Sequence, residues 1–486
     1  MLTYFQTQST FNKTIMETNT THNLIERFNQ WITESVMIKL FSIGFLILIL
    51  MIPASWIERL IGERQSRAAD VVREVSDKWS GSQTLSGPVL VIPFTKIEKI
   101  KRWDNGKQME DAIETKHRAY FLPENFTATG KVKPQVLHRG IFDVAVYESE
   151  ISMDAQFISP DFTSWSIPDE QVHWNEAFLV NGISDLRGID ADPIVESASK
   201  KFVAEPSSNI GIQSNQFVAN QVLDEAQPKD TQNIPLTSGI VVPLNWKSRE
   251  DFKNRFTVRL SLKGSESLYF VPVGKSTQVN LAGPWSSPSF EGKLLPAERA
   301  IDDTGFSAMW KVLSFNRPFS QKWIDNEQSL GGSEFGVRLL IPADQYQKST
   351  RTAKYDELII ILAFTALFLV EITSKIKIHP FQYILIGVAL IIYYTLLLSL
   401  SEHVGYNAAY AISSMATVTL VSVYASTFLR RRQISLLFTG LMTFFYVFIY
   451  VIIQAEDFSL LIGSVGLFLI VGILMYFSRN IKWYKE

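Results

Sequence analysis

The sequence predicts a membrane protein with an α-helical bundle, one N-terminal plus five C-terminal transmembrane helices, and a large all-β or β-rich periplasmic domain. Five long apolar runs follow one another within residues 355–486, and another lies at residues 36–56. A helix needs about 20 apolar residues to cross a hydrocarbon core, and each run is long enough. Residues 57–354 are mostly polar, so a large domain is expected between the first span and the second.

The composition limits which kinds of site and partner are expected. The chain has 486 residues, a formal net charge of −2 and no Cys. This charge gives no basic surface for nucleic acid, and the lack of Cys excludes disulfides, thiolate metal sites and Cys nucleophiles. A large exported domain without disulfides must be stabilised by its own core. Such a domain fits a bacterial envelope better than a eukaryotic cell surface.

The chain begins with a polar segment, residues 1–35, which we expect to form a cytoplasmic tail. The apolar run at 36–56 lacks a clear A-x-A cleavage pattern. It therefore predicts an uncleaved anchor, with a signal peptide as the less favoured alternative. Beyond it, charged residues interleave with apolar ones at helical spacing. Residues 57–84 are therefore predicted to form a helical stalk.

Residues 85–354 are predicted to form the β-rich periplasmic domain. Leu85–Phe94 is a short apolar run bounded by Gly and Pro, and period-two alternation begins at Phe142 and again at Phe256. Many short strands punctuated by turn residues indicate antiparallel sheets.

A weak internal similarity suggests that this domain contains two related β units, 85–204 and 234–354. In each half a strand ends in Leu-Pro and is followed by a polar stretch, a Gly and an alternating strand. Chance similarity between β segments explains this equally well, so both explanations stay open. The polar stretch Glu205–Asn233 is predicted to be a hinge or long loop between the halves.

The five C-terminal spans are separated by short loops with a consistent charge pattern. Lys and Arg occur in alternate loops, and the intervening loops contain Glu, Asp and His instead. Because basic loops remain in the cytoplasm, both termini are predicted to be cytoplasmic and residues 57–354 periplasmic. The predicted spans are Tyr355–Thr373, Phe381–Leu400, Ala408–Leu429, Ile434–Gln454 and Phe458–Tyr476. The basic loop residues are Lys375, Lys377, Arg430, Arg431, Arg432, Arg479, Lys482 and Lys485.

Several segments resemble the CreD family, inner-membrane proteins of Gram-negative bacteria named for cell-envelope integrity. The resemblance extends from about Glu63 to the C-terminus and implies a place in the envelope stress response. It also implies altered tolerance to colicins and β-lactams, and control by a carbon-source-responsive two-component system. It implies no molecular activity. The segments that carry it include GPVLVIPF (87–94), YFLPENF (120–126), HRGIFDVAVYESEI (138–151), GFSAMWKV (305–312), RTAKYDELIIILAFTALFLVE (351–371) and IHPFQYILIGVALIIYYTLLLSLSEHVGYNAAY (378–410).

Glu371 is the first candidate functional residue, because an ionisable group within a span is a functional candidate by default. It lies near the predicted cytoplasmic end of its helix. There it could reach lipid headgroups, or pair with Lys375 in the favourable i, i+4 order. This structural explanation is favoured over a functional one.

The second candidate is the cluster Ser399, Ser401, Glu402 and His403, in the sequence SLSEH at the outer end of a span. Adjacent Glu and His side chains could relay protons or bind a ligand. No second His with metal-ligand spacing accompanies them, so neither a metal nor a cofactor is expected. A polar helix end explains the same residues, and this explanation is favoured.

We therefore expect an inner-membrane envelope-integrity and stress-response protein with no catalytic residues, whose periplasmic domain binds another envelope component. The first alternative is a transporter or channel, in which Glu371, the SLSEH cluster and the hydroxyl groups of Ala408–Leu429 line a polar path. The second is an enzyme acting on lipid or peptidoglycan at the membrane surface. Expected partners are membrane lipids and an envelope protein or cell-wall component, with no nucleic acid; the oligomeric state is left open.

Overall fold

The structure, a computed structural model, consists of two compact units. The first is formed by Met1–Gln65 together with Ala343–Glu486, and the second by Ser66–Pro342. We call them the helical unit and the β unit. The predicted tail at 1–35 lies outside the described residues. The structure describes residues 36–104, 107–211, 215–216, 234–235, 238–341, 345–374, 376–429, 431–455 and 458–479.

Helices account for the described parts of the helical unit, and five of them are long and apolar enough to cross a membrane. A sixth contributes a shorter apolar stretch, Ser459–Ile473. Helices apolar enough to span a membrane are thus present as predicted, whereas the count of six and the exact bounds of the spans stay predictions. The helices are α1 (Val36–Trp79), α2 (Gln345–Ala353), α3 (Asp356–Ser374), α4 (Pro380–Val404), α5 (Tyr406–Phe428), α6 (Arg432–Gln454) and α7 (Ser459–Ser478).

The predicted anchor and stalk form one continuous helix, α1, which ends at Trp79 and not at residue 84. Its last part belongs to the β unit, since the division between the units falls after Gln65. There Val71 and Val75 pack against Val144 and Val146. The domain boundary therefore lies within the predicted stalk.

The short helix α2 was not predicted, because residues 345–353 were assigned to the β-rich domain. Its buried positions are Tyr346, Ser349, Thr352 and Ala353. This spacing places them on one face of the helix. Since three of the four are polar, apolar periodicity could not reveal the helix in the sequence.

The β unit contains a nine-stranded and an eight-stranded sheet. The strands are β1 (Gln83–Asp104), β2 (Lys107–Phe121), β3 (Asn125–Arg139), β4 (Phe142–Gln156), β5 (Phe178–Ile183), β6 (Ile194–Ser197), β7 (Lys200–Phe202), β8 (Glu205–Ser207), β9 (Asn215–Gln216), β10 (Ile234–Pro235), β11 (Gly239–Pro243), β12 (Arg255–Ser265), β13 (Ser267–Phe270), β14 (Ser276–Gly283), β15 (Pro288–Gly292), β16 (Glu298–Asp302), β17 (Gly305–Leu313), β18 (Lys322–Ile324) and β19 (Phe335–Leu339). The nine-stranded sheet has the order β15-β19-β13-β1-β5-β11-β8, with β2 on β1 and β18 on β2. The eight-stranded sheet has the order β16-β17-β14-β3-β4-β12-β6-β7.

Both sheets contribute side chains to one hydrophobic core. Val89 and Phe335 come from the larger sheet, and Phe126, Leu260 and Trp310 come from the smaller one. Buried and accessible residues alternate along β3 and β12, as the period-two patterns predict. The strands predicted near Leu85, Phe142 and Phe256 are confirmed.

The sheets are not purely antiparallel, which corrects the prediction. Strand β1 pairs in parallel with β13, and β3 pairs in parallel with β14. Each sheet thus combines strands from both predicted halves, 85–204 and 234–354. The halves do not form separate sheets, and their relatedness stays a prediction. Of the predicted hinge Glu205–Asn233, β8 belongs to the larger sheet, and 212–214 and 217–233 lie outside the described residues.

Candidate functional site

Glu371 is the centre of a buried polar cluster in the helical unit, and only 4% of its side chain is exposed. The Lys39 ammonium lies 2.5 Å from Oε1, and the backbone N–H of Ile378 donates to the same oxygen at 3.2 Å. The Tyr383 hydroxyl donates to Oε2 at 3.1 Å. These donors hold the carboxylate between α1, α3 and α4. We call Lys39, Glu371 and Tyr383 the Glu371 cluster.

For Glu371 the sequence suggested contact with lipid headgroups or pairing with Lys375, and residue 375 lies outside the described residues. Among the described residues, the cation at the Glu371 carboxylate is Lys39. The two residues are 332 positions apart, so helical spacing could not identify the pair. A lone Lys at the start of the first apolar run was the available signal, because a charge within a span requires a partner.

A cavity of about 310 Å³ adjoins the Glu371 cluster. His379 forms its rim as the N-cap of α4, where its Nδ1 accepts a hydrogen bond from the Phe381 N–H at 3.2 Å. The lining combines cationic, polar and apolar groups and is suited to an amphipathic ligand. It comprises Ile38, Lys39, Ser42, Ile43, Leu46, Glu371, Lys377, Ile378, His379, Pro380 and Tyr383.

The SLSEH residues do not form one site. The Ser401 hydroxyl is buried and donates to the Leu398 carbonyl within α4, while Ser399 and His403 are exposed. Glu402 instead accepts a hydrogen bond from the Tyr346 hydroxyl at 3.1 Å. Burial, followed by the nearby Glu402 carboxylate, raises the pKa of Tyr346, so its hydroxyl remains the proton donor. The geometry therefore favours a structural link between α2 and α4.

A buried carboxylate that the sequence analysis did not single out lies at the start of α3. Asp356 is 6% exposed, and its carboxylate accepts a hydrogen bond from the adjacent Glu357 N–H. Within the described ranges, no Lys, Arg or His forms an ion pair with it. On α2, Thr352 is also buried and shares a 2.7 Å hydrogen bond with the Tyr406 hydroxyl. Asp356 lies at the edge of a predicted span, where a charged side chain is normally exposed, so the sequence did not indicate that it is buried.

A tyrosine cluster lies among α4, α5 and α6. Its members are Tyr393, Tyr394, Tyr410, Tyr446 and Tyr450, with ring centroids 4.8 Å apart for the pairs Tyr393–Tyr394 and Tyr393–Tyr446. The Tyr410 hydroxyl donates to the Tyr446 carbonyl at 2.7 Å. The buried hydroxyls of Tyr394 and Tyr446 have no hydrogen-bond partner in the part of the chain that is described. Unpaired buried polar groups are uncommon and often mark ordered water or a ligand.

The hydroxyl groups of α5 lie on different faces of the helix. Ser413 and Thr417 are buried, whereas Thr419 and Ser426 are exposed, and the Ser426 hydroxyl donates to its own helix at Val423. They do not line one continuous path. A groove of about 480 Å³ between α5 and α6 is lined by Ser414 and Thr419 together with part of the tyrosine cluster.

The β unit displays a polar surface on the outward side of the eight-stranded sheet, which we call the outer sheet face. Its members face one another in register across six strands. Cavities of about 470 Å³ and 380 Å³ lie on it and share Thr129 and Lys131. The side chains of one row across this face are Arg259, Ser152, Thr129, Asn280, Met309 and Glu298.

No group of three or more His, Cys, Asp or Glu that could hold a metal ion occurs in the described ranges.

The comparisons with known proteins cover almost the whole chain. The family described as "Inner membrane protein CreD" matches residues 35–484, so the match begins earlier than the predicted start near Glu63. The Inner membrane protein CreD of Escherichia coli (strain K12) is 29% identical over 450 residues, which cover 92% of this chain and 93% of that protein. The chain therefore belongs to the CreD family of inner membrane proteins.

Proposed function

We propose that this chain is a cell-envelope integrity and stress-response protein whose β unit lies in the periplasm and binds another envelope component without catalysing a reaction. The outer sheet face is the observation that carries this proposal. It offers hydroxyl and amide groups from three strands, with charged side chains at both ends of the row. A surface of this kind suits a polar macromolecule, such as a protein or cell-wall component, through many direct and water-mediated hydrogen bonds.

The accessibility of these side chains supports binding more than stability, since Arg259, Thr129 and Glu298 are exposed and the other three members of the row are half-buried. Thr129 is exposed, while its strand neighbour Ala128 is fully buried in the core. Substitution of outward-facing residues therefore leaves the packing unchanged. An effect of such substitutions on envelope phenotype would report binding rather than folding.

The test places a large cation on this face. Thr129→Arg and Asn280→Arg are expected to abolish recovery of the partner after cross-linking in cells and to reproduce the envelope defect of a deletion strain. The control is Lys247→Arg, an exposed position outside the two sheets. Normal protein levels with an unchanged phenotype and unchanged cross-links would contradict the proposal. A defect in the control as well would also contradict it.

A transporter or channel is the second candidate, and one observation favours it. The hydroxyls of Tyr394 and Tyr446, which have no hydrogen-bond partner among the described residues, and the buried Asp356 lie within the helical unit. A permeating polar species would require such groups there. Asp356→Asn and Tyr446→Phe are the informative variants. An envelope defect in these variants at normal protein level, with no defect in Thr129→Arg and Asn280→Arg, would favour transport. A normal envelope in both Asp356→Asn and Tyr446→Phe would exclude it.

The third possibility, an enzyme at the membrane surface, required Glu402 and His403 to act together. The structure places Glu402 on Tyr346 and leaves His403 exposed. We do not propose it.

A further inference from the structure

We propose that the cavity beside the Glu371 cluster binds the phosphate headgroup of an anionic phospholipid. This proposal does not depend on what the β unit binds. It rests on three features of the cavity: its charge, its remaining hydrogen-bond donors and its apolar wall.

The charge of the cavity favours an anion. Lys39 and Lys377 contribute two cations, and Glu371 contributes one carboxylate. Lys377 is exposed and makes no ion pair with any residue that the structure describes. Counted over the described residues, one positive charge is therefore left uncompensated at the accessible edge of a cavity with an apolar wall, where electrostatic attraction is stronger than in bulk water.

Donors remain for a phosphate. Lys39 is 27% exposed, and an ammonium group has three N–H donors, of which Glu371 takes one. His379 accepts the Phe381 N–H at Nδ1, which leaves its proton on Nε2 as a donor. Lys39, Lys377 and His379 thus surround the cavity with groups that pair with phosphate oxygens.

The apolar wall indicates a lipid as the source of the phosphate. Ile38, Ile43 and Leu46 of α1 line the cavity. Met37 and Phe41 on the same helix are 72% and 79% exposed, as expected of side chains that contact acyl chains. A basic pocket at the end of transmembrane helices, next to such a surface, is typical of headgroup sites.

The test measures the unfolding temperature of the purified full-length protein in a zwitterionic detergent. Short-chain phosphatidylglycerol is titrated against phosphatidylcholine of the same chain length and against inorganic phosphate. We expect a saturable rise with phosphatidylglycerol alone. Lys377→Gln is expected to weaken the apparent affinity about tenfold, the effect of losing one charge-assisted hydrogen bond.

The control is Arg432→Gln, which removes the same charge at the start of α6, outside the cavity lining. Its affinity should stay within about twofold of the parent. Lys39→Arg, which keeps the cation at Glu371, provides a second variant and should alter the affinity without unfolding the protein. Equal affinity in Lys377→Gln, equal loss in Arg432→Gln, or an equal response to phosphatidylcholine would overturn the proposal. A saturable response to inorganic phosphate would overturn the assignment to lipid.

Discussion

The Glu371 carboxylate illustrates how single residues set the chemistry of the helical unit. It accepts hydrogen bonds from Lys39 of α1, from Tyr383 of α4 and from the Ile378 N–H in the connection between α3 and α4. The Lys39 ammonium also neutralises its charge. Removing one member of such a pair costs more than the pair contributes, because the remaining charge stays buried without a partner. The pair therefore fixes the position of α1 against α3 and α4.

We predict that Glu371→Gln lowers the free energy of unfolding in detergent by about 2 kcal/mol. The value lies below that for a fully buried pair because Lys39 is partly exposed. In the double variant Lys39→Gln with Glu371→Gln, most of this loss should be recovered, because no unpaired charge remains. Thermal unfolding of the parent, the single variant and the double variant measures these differences in stability. A double variant less stable than the single one would contradict this account.

A second residue-scale prediction concerns pH. Burial raises the pKa of Glu334 in the β unit. Both oxygens of its carboxylate lie 3.0 Å from the backbone N of Gly332, whose N–H donates to them. Because the folded state binds the Glu334 proton more tightly than the unfolded state, protonation of this side chain adds to the free energy of unfolding. That contribution is fully present below the unfolded pKa and is lost as the pH rises through the folded pKa. We expect the parent to lose stability relative to Glu334→Gln as the pH rises from about 4, the unfolded pKa of a glutamate, through the raised folded pKa of Glu334. A constant difference across this range would contradict the assignment.

Close packing of helices depends on where glycine lies. A Cβ atom at Gly387 in α4 would lie 2.2 Å from Leu50 of α1 and 3.0 Å from Phe364 of α3. At Gly440 in α6, nothing lies within 4 Å of that position. Small residues permit such close approach between membrane helices.

Gly387→Leu is therefore predicted to lower the free energy of unfolding by about 1–3 kcal/mol or more, whereas Gly440→Leu should be nearly neutral. The matched pair separates packing from helix propensity, since the substitution is the same. Unfolding temperature and yield from membranes measure the effect. Similar losses of stability in both variants would show that the effect comes from helix propensity and not from contact with α1 and α3.

Element positions were largely predictable, and contacts between distant elements were not. Apolar runs located the helices α3 to α6, and alternation located β4 and β12, because these patterns depend only on neighbouring residues. The parallel pairing of β1 with β13 and the Lys39–Glu371 pair join residues far apart in the chain. The helix α2 was missed because its buried face contains Tyr346, Ser349 and Thr352, and polar residues give no hydrophobic period.

At the scale of the whole molecule, the charge pattern of the loops predicts which side of the membrane each unit occupies. Alkaline phosphatase fused near residue 200 should be active, because the enzyme requires an oxidising compartment, and the same enzyme fused after residue 479 should be inactive. Fusions at equal expression, assayed in intact cells, measure this. Activity of the C-terminal fusion alone would reverse the predicted topology.

The parallel pairs of the β unit have a consequence for biogenesis. Gln83 pairs with Leu268, and Asn125 pairs with Ser276, so the middle of each sheet needs strands that are synthesised late. Long-range pairing of this kind slows folding and leaves early strand edges unprotected. If the β unit is translocated across the membrane from its N-terminus, its first half remains incompletely folded in the outer compartment until β13 and β14 have been translocated. A chaperone in that compartment would have its greatest effect during this interval.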